Sequence, residues 1–322
     1  MRFIKKLFKI IGITLISLIV ILSVVPYFFS VESKELGAKE KPFSNSCFIT
    51  VRKTKIHYRV WAPKGKATHK VFLIHGFSGS TFSYRKNIDT LVSLGALVVA
   101  MDLPAFGYSD KSDTADYSLN NTFLAINKIT ALYDTACNER FIFVGHSMGA
   151  SVAGVYASNY PKNVKALILI DGVPFNGGST NAFLRGILSY PPLLRLANVL
   201  TKHYFAKPLR FKELVSSAYN QPANDEAANG YLLPFTYKNS GSAIFKMATA
   251  NTALVFNKNV FKKTPLLIIW GKNDTWLPLS MCTNFTKKFA QAKTYLVNFA
   301  GHCPMETKPT EVNNIIAGFL KE

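Results

Sequence analysis

Gly145, His146, Ser147, Met148 and Gly149 follow the apolar run Phe141 to Val144 and open a small-residue segment from Ala150 to Ala157. The pattern predicts a strand, a serine on a sharp turn and then a helix. Glycine on either side of the serine lets the backbone enter the strained turn that lifts a hydroxyl clear of a sheet. The amides of the helix that follows then face any negative charge developing at that hydroxyl. Five letters of the form Gly-x-Ser-x-Gly arise by chance in many chains. The strand before and the helix after are what constrain this one to an α/β architecture with an exposed serine at a strand end.

A serine hydroxyl is a poor nucleophile at neutral pH, so the chemistry needs a histidine to take its proton and a carboxylate to orient that histidine. Both follow in order. The strand-like run Pro265 to Trp270 leads into a loop, Gly271 to Pro278, that carries Asp274; a further candidate strand, Thr294 to Phe299, leads into Gly301, His302, Cys303 and Pro304. Functional groups collect at such carboxyl ends of parallel strands, and the order Ser, Asp, His is that of a nucleophile-elbow hydrolase. Among the other histidines, His57 and His69 lie in the early Lys-rich strand and turn region and His203 in a middle segment. His75 and His146 read as local hydrogen-bonding groups beside mechanistic backbone. For the acid, Asp171 is the rival, because it too ends a strand-like run, Lys165 to Ile170. Asp102 and Asp134 read as turn or helix-end residues. A tetrahedral intermediate also needs two donors aimed at its oxyanion. The backbone N–H of Met148 supplies one, and that of Phe77, in the loop after Val71 to His75, the other.

These residues together resemble the α/β-hydrolase family, in particular its capped, epoxide-hydrolase-like serine members such as esterases and monoacylglycerol lipases. The resemblance runs from about Cys47 to the C-terminus. It rests on His75 and Gly76, on Asp102 to Ser109, on the turn at Ser147, on Gly271 through Asp274 to Pro278, and on Gly301 and His302 with Glu306 and Pro309 behind them. It implies a mostly parallel eight-stranded sheet with helices on both faces and a helical cap insertion. It also implies Ser147 as nucleophile, Asp274 as acid, His302 as base, and Phe77 with Met148 as oxyanion donors. Epoxide and haloalkane hydrolases of the family use aspartate where this chain has Ser147, which argues against both activities. One departure is Ala105, where the family usually shows glycine; no catalytic consequence is expected.

The first thirty residues differ in kind. Arg2, Lys5, Lys6 and Lys9 precede Ile10 to Phe29, twenty residues without a charge, a length that spans a bilayer core as a helix. Residues 1–30 are therefore expected to be an uncleaved signal anchor, with a cleaved signal peptide and secretion, or a buried core helix, as alternatives. The cations before the span put the N-terminus on the cytoplasmic side and the remaining chain on the other. Residues 31–46, rich in Lys, Glu and Ser, read as a linker. The formal charge of +20 falls to +16 without the four N-terminal cations, which suits an anionic surface such as the bilayer itself or a merely lysine-rich solvated face. No basic motif of a nucleic-acid-binding fold is present. Cys47, Cys137, Cys282 and Cys303 have no metal-ligand spacing; a disulfide, if any, is expected between Cys282 and Cys303.

Strands are expected at 48–51, 56–61, 71–74, 97–101, 141–144, 166–170, 266–270 and 294–298. Continuous apolar runs separated by helical patterns indicate a parallel sheet covered on both faces, with antiparallel strands possible at the start. The core is thus 47–174 with 265–322. The alternation breaks over 175–264, which contains Gly177, Gly178, Pro191 and Pro192 and suits a helical cap. Its aromatics, among them Phe183, Tyr190, Tyr204, Phe205, Phe211, Tyr231, Phe235 and Phe245, are candidates for pocket lining or for the cap's own core.

The expected activity is that of a membrane-anchored serine hydrolase cleaving hydrophobic or lipid-like carboxylic esters through an acyl-enzyme, with no metal or organic cofactor. Amide, peptide or carbon–carbon bond hydrolysis by the same three residues stays open. So does a non-catalytic binding role on the same fold.

Overall fold

The computed structural model describes residues 2–35, 37, 40–174, 181–250 and 256–322; Gly177 and Gly178 lie outside them. Eight strands form one sheet: β1 (Ser46–Val51), β2 (Thr54–Trp61), β3 (His69–Ile74), β4 (Ala96–Met101), β5 (Phe141–His146), β6 (Val164–Ile170), β7 (Leu266–Gly271) and β8 (Lys293–Val297). All eight overlap the expected runs. Their order is β1-β2-β4-β3-β5-β6-β7-β8. β2 pairs antiparallel with β1 and β4, and every later pairing is parallel.

Side chains alternate across each strand, and the sequence supplies apolar residues at both phases. Phe72, Ile74, Val99, Met101, Phe143, Leu167, Ile268 and Trp270 bury into one core layer. Val71, Leu73, Val98, Ala100, Ile142, Ile168, Leu267 and Ile269 bury into the other. Helices α3 (Leu119–Leu132), α4 (Met148–Asn159) and α10 (Leu279–Lys288) cover the first face, while α2 (Ile88–Ser93) and α12 (Pro309–Leu320) cover the second.

This sheet explains why the expected Cys282–Cys303 bond is absent. Cys282 packs in one layer and Cys303 in the other, so the sheet stands between them, and both are free thiols. Burial pushes the Cys282 thiol up to about 11 and raises that of Cys303 well above its ordinary value.

Between β6 and β7 the described residues form five α-helices: α5 (Ala182–Leu188), α6 (Pro191–Leu200), α7 (Pro208–Tyr219), α8 (Asp225–Leu232) and α9 (Ser240–Thr249). Before the sheet, α1 (Arg2–Val24) is exposed along its length, and the span Phe3–Phe28 is long and apolar enough to cross a membrane. The segment after it follows the insertion: the Lys238 amide donates to Lys34 O at 3.0 Å, and Arg195 donates to the carbonyls of Pro26 and Phe29, each at 3.0 Å.

Chain direction reverses across the sheet between β4 and β5, so β3 and β5 become neighbours whose following helices, α2 and α4, leave on opposite faces. A crevice opens at such a point beyond the carboxyl ends of the strands. The Phe77 loop and the Ser147 turn are the two loops that border it.

Candidate active site

The turn after β5 has the strained geometry its glycines permit. Ser147 sits at φ 51° and ψ −118°, a conformation rare for a residue with a side chain. A Cβ at Gly145 would lie 2.3 Å from Gly149 O, and one at Gly149 would lie 2.2 Å from Ile74 O. Neither position can carry a side chain without moving backbone. The Ser147 amide donates to Ile170 O at 2.9 Å, which ties the turn to the end of β6.

Loops after β7 and β8 bring the partners to this serine. His302 Nδ1 lies 2.8 Å from Asp274 Oδ2, and His302 Nε2 lies 2.9 Å from Ser147 Oγ. A carboxylate can only accept, so Nδ1 carries the proton and Nε2 is left to accept from the serine hydroxyl. The other oxygen of Asp274 accepts from the amides of Trp276 (2.8 Å) and Leu277 (3.0 Å). Burial raises the Asp274 carboxyl, but His302 and these two amides outweigh it and hold the group below its ordinary value.

Asp171, the rival acid, stands directly behind. It is fully buried, and its Oδ1 accepts from the Gly271 amide at 2.9 Å. Burial first, and then the neighbouring Asp274, raise its carboxyl well above the ordinary range. Asp171 thus holds its proton to a higher pH than Asp274 does. Ligand atoms of Asp171, Asp274 and His302 lie within 4.8 Å of one another. Asp274 and His302 are hydrogen-bonded to each other at 2.8 Å, so the group reads as a hydrogen-bonded acid–imidazole cluster.

The Phe77 loop approaches closely because Gly76 has no side chain: a Cβ there would lie 3.0 Å from Ser147 Cβ. His75 fixes this loop, its Nδ1–H donating to Gly76 O at 2.7 Å while its Nε2 accepts from the Leu103 amide at 2.9 Å. The amides of Phe77 and Met148 donate to no other group among the described residues; for Met148 this follows from its place in the first turn of α4. Both are free to meet an oxyanion.

Several further residues hold the histidine loop. The Trp276 ring stacks on His302 with centroids 5.3 Å apart. His146 donates from Nε2 to His302 O at 2.7 Å, and burial, with His302 next, pushes its pKa down to about 3, so it stays neutral. From the insertion, Ala218 O at the end of α7 accepts the His302 amide at 2.7 Å. Glu306, buried just beyond the histidine loop, accepts from Tyr219 of α7 at 2.6 Å and also pairs with Tyr231 of α8 and with Arg85. This carboxylate draws two insertion helices onto the core.

A cavity of about 180 Å³ lies above Ser147 and His302, walled mainly by Phe77, Phe211, Leu214, Val215, Tyr231 and Trp276. Of the eight insertion aromatics considered as lining, only Phe211 and Tyr231 border it. Phe183, Tyr190, Tyr204 and Phe205 are exposed to solvent, and Phe235 packs against Phe211.

Comparison with known proteins agrees with this architecture. The family model described as alpha/beta hydrolase fold matches residues 70–309. The chain belongs to the alpha/beta hydrolase family. Among relatives of this alpha/beta hydrolase, an uncharacterized hydrolase, YugF of Bacillus subtilis (strain 168), is 25% identical over 275 residues, covering 85% of this chain and 97% of the relative. Lipase 3 of Moraxella sp. (strain TA144) is 25% identical over 241 residues, covering 73% of this chain and 72% of the lipase. The crystal structure of a membrane phospholipase A, a bacterial virulence factor, superimposes with a TM-score of 0.63 at 21% identity, covering 99% of this chain and 98% of that one. At that identity the likeness is one of fold. The alpha/beta hydrolase family is one of hydrolytic enzymes, with lipases among the relatives of this member.

Proposed function

We propose that the chain is a serine hydrolase, held to a membrane by its N-terminal helix, that cleaves carboxylic esters of hydrophobic acyl groups. The observation that carries this reading is the hydrogen-bonded series Ser147, His302 and Asp274 opening onto an apolar cavity. In this reading Ser147 Oγ attacks the ester carbonyl carbon while His302 Nε2 takes the hydroxyl proton. Asp274 stabilises the imidazolium, and the amides of Phe77 and Met148 receive the oxyanion. Collapse of the intermediate expels the alcohol, which takes the proton from Nε2. Water, deprotonated by the same nitrogen, then attacks the acyl-serine, and the acid leaves as Ser147 Oγ takes that proton back from Nε2. These steps call for no metal or organic cofactor.

The apolar walls favour a hydrocarbon acyl chain over a charged one, and relatives named as lipases support the same substrate class. Residues 175–264 act as the cap over the cavity, 1–30 as the anchor and 31–46 as the linker. Arg2, Lys5, Lys6 and Lys9, ahead of the uncharged run Ile10 to Phe29, favour a domain on the non-cytoplasmic side.

A fluorophosphonate probe tests the chemistry. The intact chain is expected to label and Ser147→Ala to remain unlabelled; equal labelling of both would remove Ser147 from the reaction. A panel of p-nitrophenyl esters against aminoacyl anilides tests the substrate class, and turnover of anilides alone would overturn the ester assignment.

A further inference from the structure

The insertion exposes large apolar side chains where a soluble domain would bury or omit them. On α5, Phe183, Leu184 and Ile187 share one helical face, and Phe183 is 79% exposed. Tyr204 and Phe205, on the turn after α6, and Leu209, at the start of α7 and 69% exposed, form a second set. Isolated surface apolar residues are ordinary, but clustered ones mark an interaction surface.

Both sets flank the place where α1 meets the domain. Tyr190, just past α5, shares a 3.0 Å hydrogen bond with Ser23 near the end of α1. α1 and α6 are packed together, and Arg195 of α6 holds the carbonyls of Pro26 and Phe29. His203, one residue before Tyr204, lies 2.9 Å from Ser30 O through Nε2. The apolar patches are thus continuous with the end of the apolar helix. Residues 182–212 also contain six Lys and Arg and no Asp or Glu; Arg210 and Lys212 pair with Glu213 and Asp225 just beyond, and Arg195 and Lys202 donate to backbone carbonyls. Apolar side chains interleaved with cations are what an anionic phospholipid interface binds: the hydrocarbon groups enter the acyl boundary and the cations meet the headgroups.

We infer that the face formed by α5 and by residues 201–209 docks into the interfacial layer of an anionic bilayer, the same bilayer that α1 spans. This rests on the reading of α1 as a membrane anchor. It adds a second, reversible contact that fixes how the domain sits on the membrane. The consequence for the site follows from α7, which starts at the docked patch with Leu209 and carries Phe211, Val215 and Tyr219 into the cavity wall. Docking therefore brings the wall of the cavity to the lipid surface, and an acyl chain reaches Ser147 from the bilayer without crossing water.

The test uses the full chain reconstituted in vesicles of phosphatidylcholine with about one third phosphatidylglycerol, part of it carrying brominated acyl chains. Tryptophan is introduced as Phe183→Trp, Leu209→Trp and, as control, Leu132→Trp, and the signal of the parent chain is subtracted. Leu132 is 58% exposed at the end of α3, which leads into the starting edge of β5, the edge opposite Ser147. Quenching of the first two at least about two-fold stronger than of the control, and weaker in vesicles without phosphatidylglycerol, is the expected result. Equal quenching at all three positions overturns the inference. This readout involves no hydrolysis, so it decides the docking even if the esterase reading fails. With an active chain, the double substitution Phe183→Glu and Leu184→Glu is expected to slow cleavage of a long-chain ester embedded in vesicles about five-fold or more. It should leave a water-soluble short-chain ester unaffected, and a parallel fall of both activities, or no change in either, counts against docking.

Discussion

Among the described residues there are two Ser-His-Asp hydrogen-bond series, one opening onto the cavity and the other closed in by packing. In the first, Ser147, His302 and Asp274 are joined at 2.9 and 2.8 Å. In the second, Ser46 Oγ lies 2.8 Å from His57 Nε2, and His57 Nδ1 lies 2.7 Å from Asp102 Oδ2. Bond lengths and residue types do not tell them apart. Surroundings do. Ser46, His57 and Asp102 are all buried, none of them borders the cavity above Ser147, and Ser46 lies at the start of a regular strand. Ser147 is on a strained turn, faces a cavity, and has two uncommitted amides close to it.

The buried series has a structural use. Asp102 also accepts from the amides of Thr81 (2.6 Å) and Tyr108 (2.8 Å), so one carboxylate holds the loops that follow β3 and β4. Burial raises its pKa, but His57, His75 and the Tyr108 amide outweigh it and keep it below the ordinary value. Gly107 must be glycine here, since a Cβ would fall 2.0 Å from Asp102 Oδ2. The comparison teaches that a proton relay becomes an active site only where substrate can enter and developing charge has a preorganised partner.

The sharpest way to break the comparison is to remove each serine. Ser147→Ala is expected to lower kcat on the order of 10⁴-fold or more with little change in stability. Ser46→Ala should keep kcat within about two-fold but lower unfolding free energy by about 1–3 kcal/mol, because His57 Nε2 loses its partner in a site closed to water. Steady-state kinetics with denaturant titration reads both. Comparable losses of activity in the two variants would erase the distinction.

A smaller effect separates the two acid sites. Asp171 keeps its proton in the folded chain above the pH at which it loses it in the unfolded chain, about 3.9. The unfolded state thus releases a proton that the folded state retains, so this group costs stability as pH rises from about 4 toward its raised value, by up to about 1.4 kcal/mol per unit. Asp171→Asn keeps an acceptor for the Gly271 amide but cannot ionise. Urea unfolding between about pH 4.5 and 7 should show the variant gaining on the parent as pH rises. Parallel profiles would mean that Asp171 is not held neutral.

The smallest effect concerns Ala105, which has φ +76° where the resemblance to the family led us to expect glycine. A left-handed alanine is strained by about 1 kcal/mol. Ala105→Gly is expected to stabilise the chain by up to about that amount with unchanged kcat, measured by denaturant titration. Destabilisation would show that the buried methyl group contributes more by packing than the backbone loses by strain.

Much of this architecture was legible along the chain. Apolar runs marked all eight strands, because a sheet covered on both faces requires them, and glycines marked the turn at Ser147, because only they fit it. Asp274 and His302 were legible as loop residues after buried strands. The second series was not. Ser46 and His57 carry no glycine signature, and Asp102 read as a turn residue although it is a buried hub. The choice among eight insertion aromatics was equally hidden, since helical spacing does not tell which face meets a cavity and which meets solvent.

What the sequence determined by itself was local: alternation of apolar residues, the steric demand of one turn, and twenty uncharged residues at the N-terminus. Each depends on neighbours along the chain, so each can be read there. Tertiary structure alone decided which histidine meets which serine, that α7 lends a carbonyl to the His302 loop, that Glu306 gathers Tyr219 and Tyr231, and that the sheet keeps Cys282 from Cys303. These contacts join residues far apart in the chain through packing, and packing is set by the whole fold rather than by any one segment.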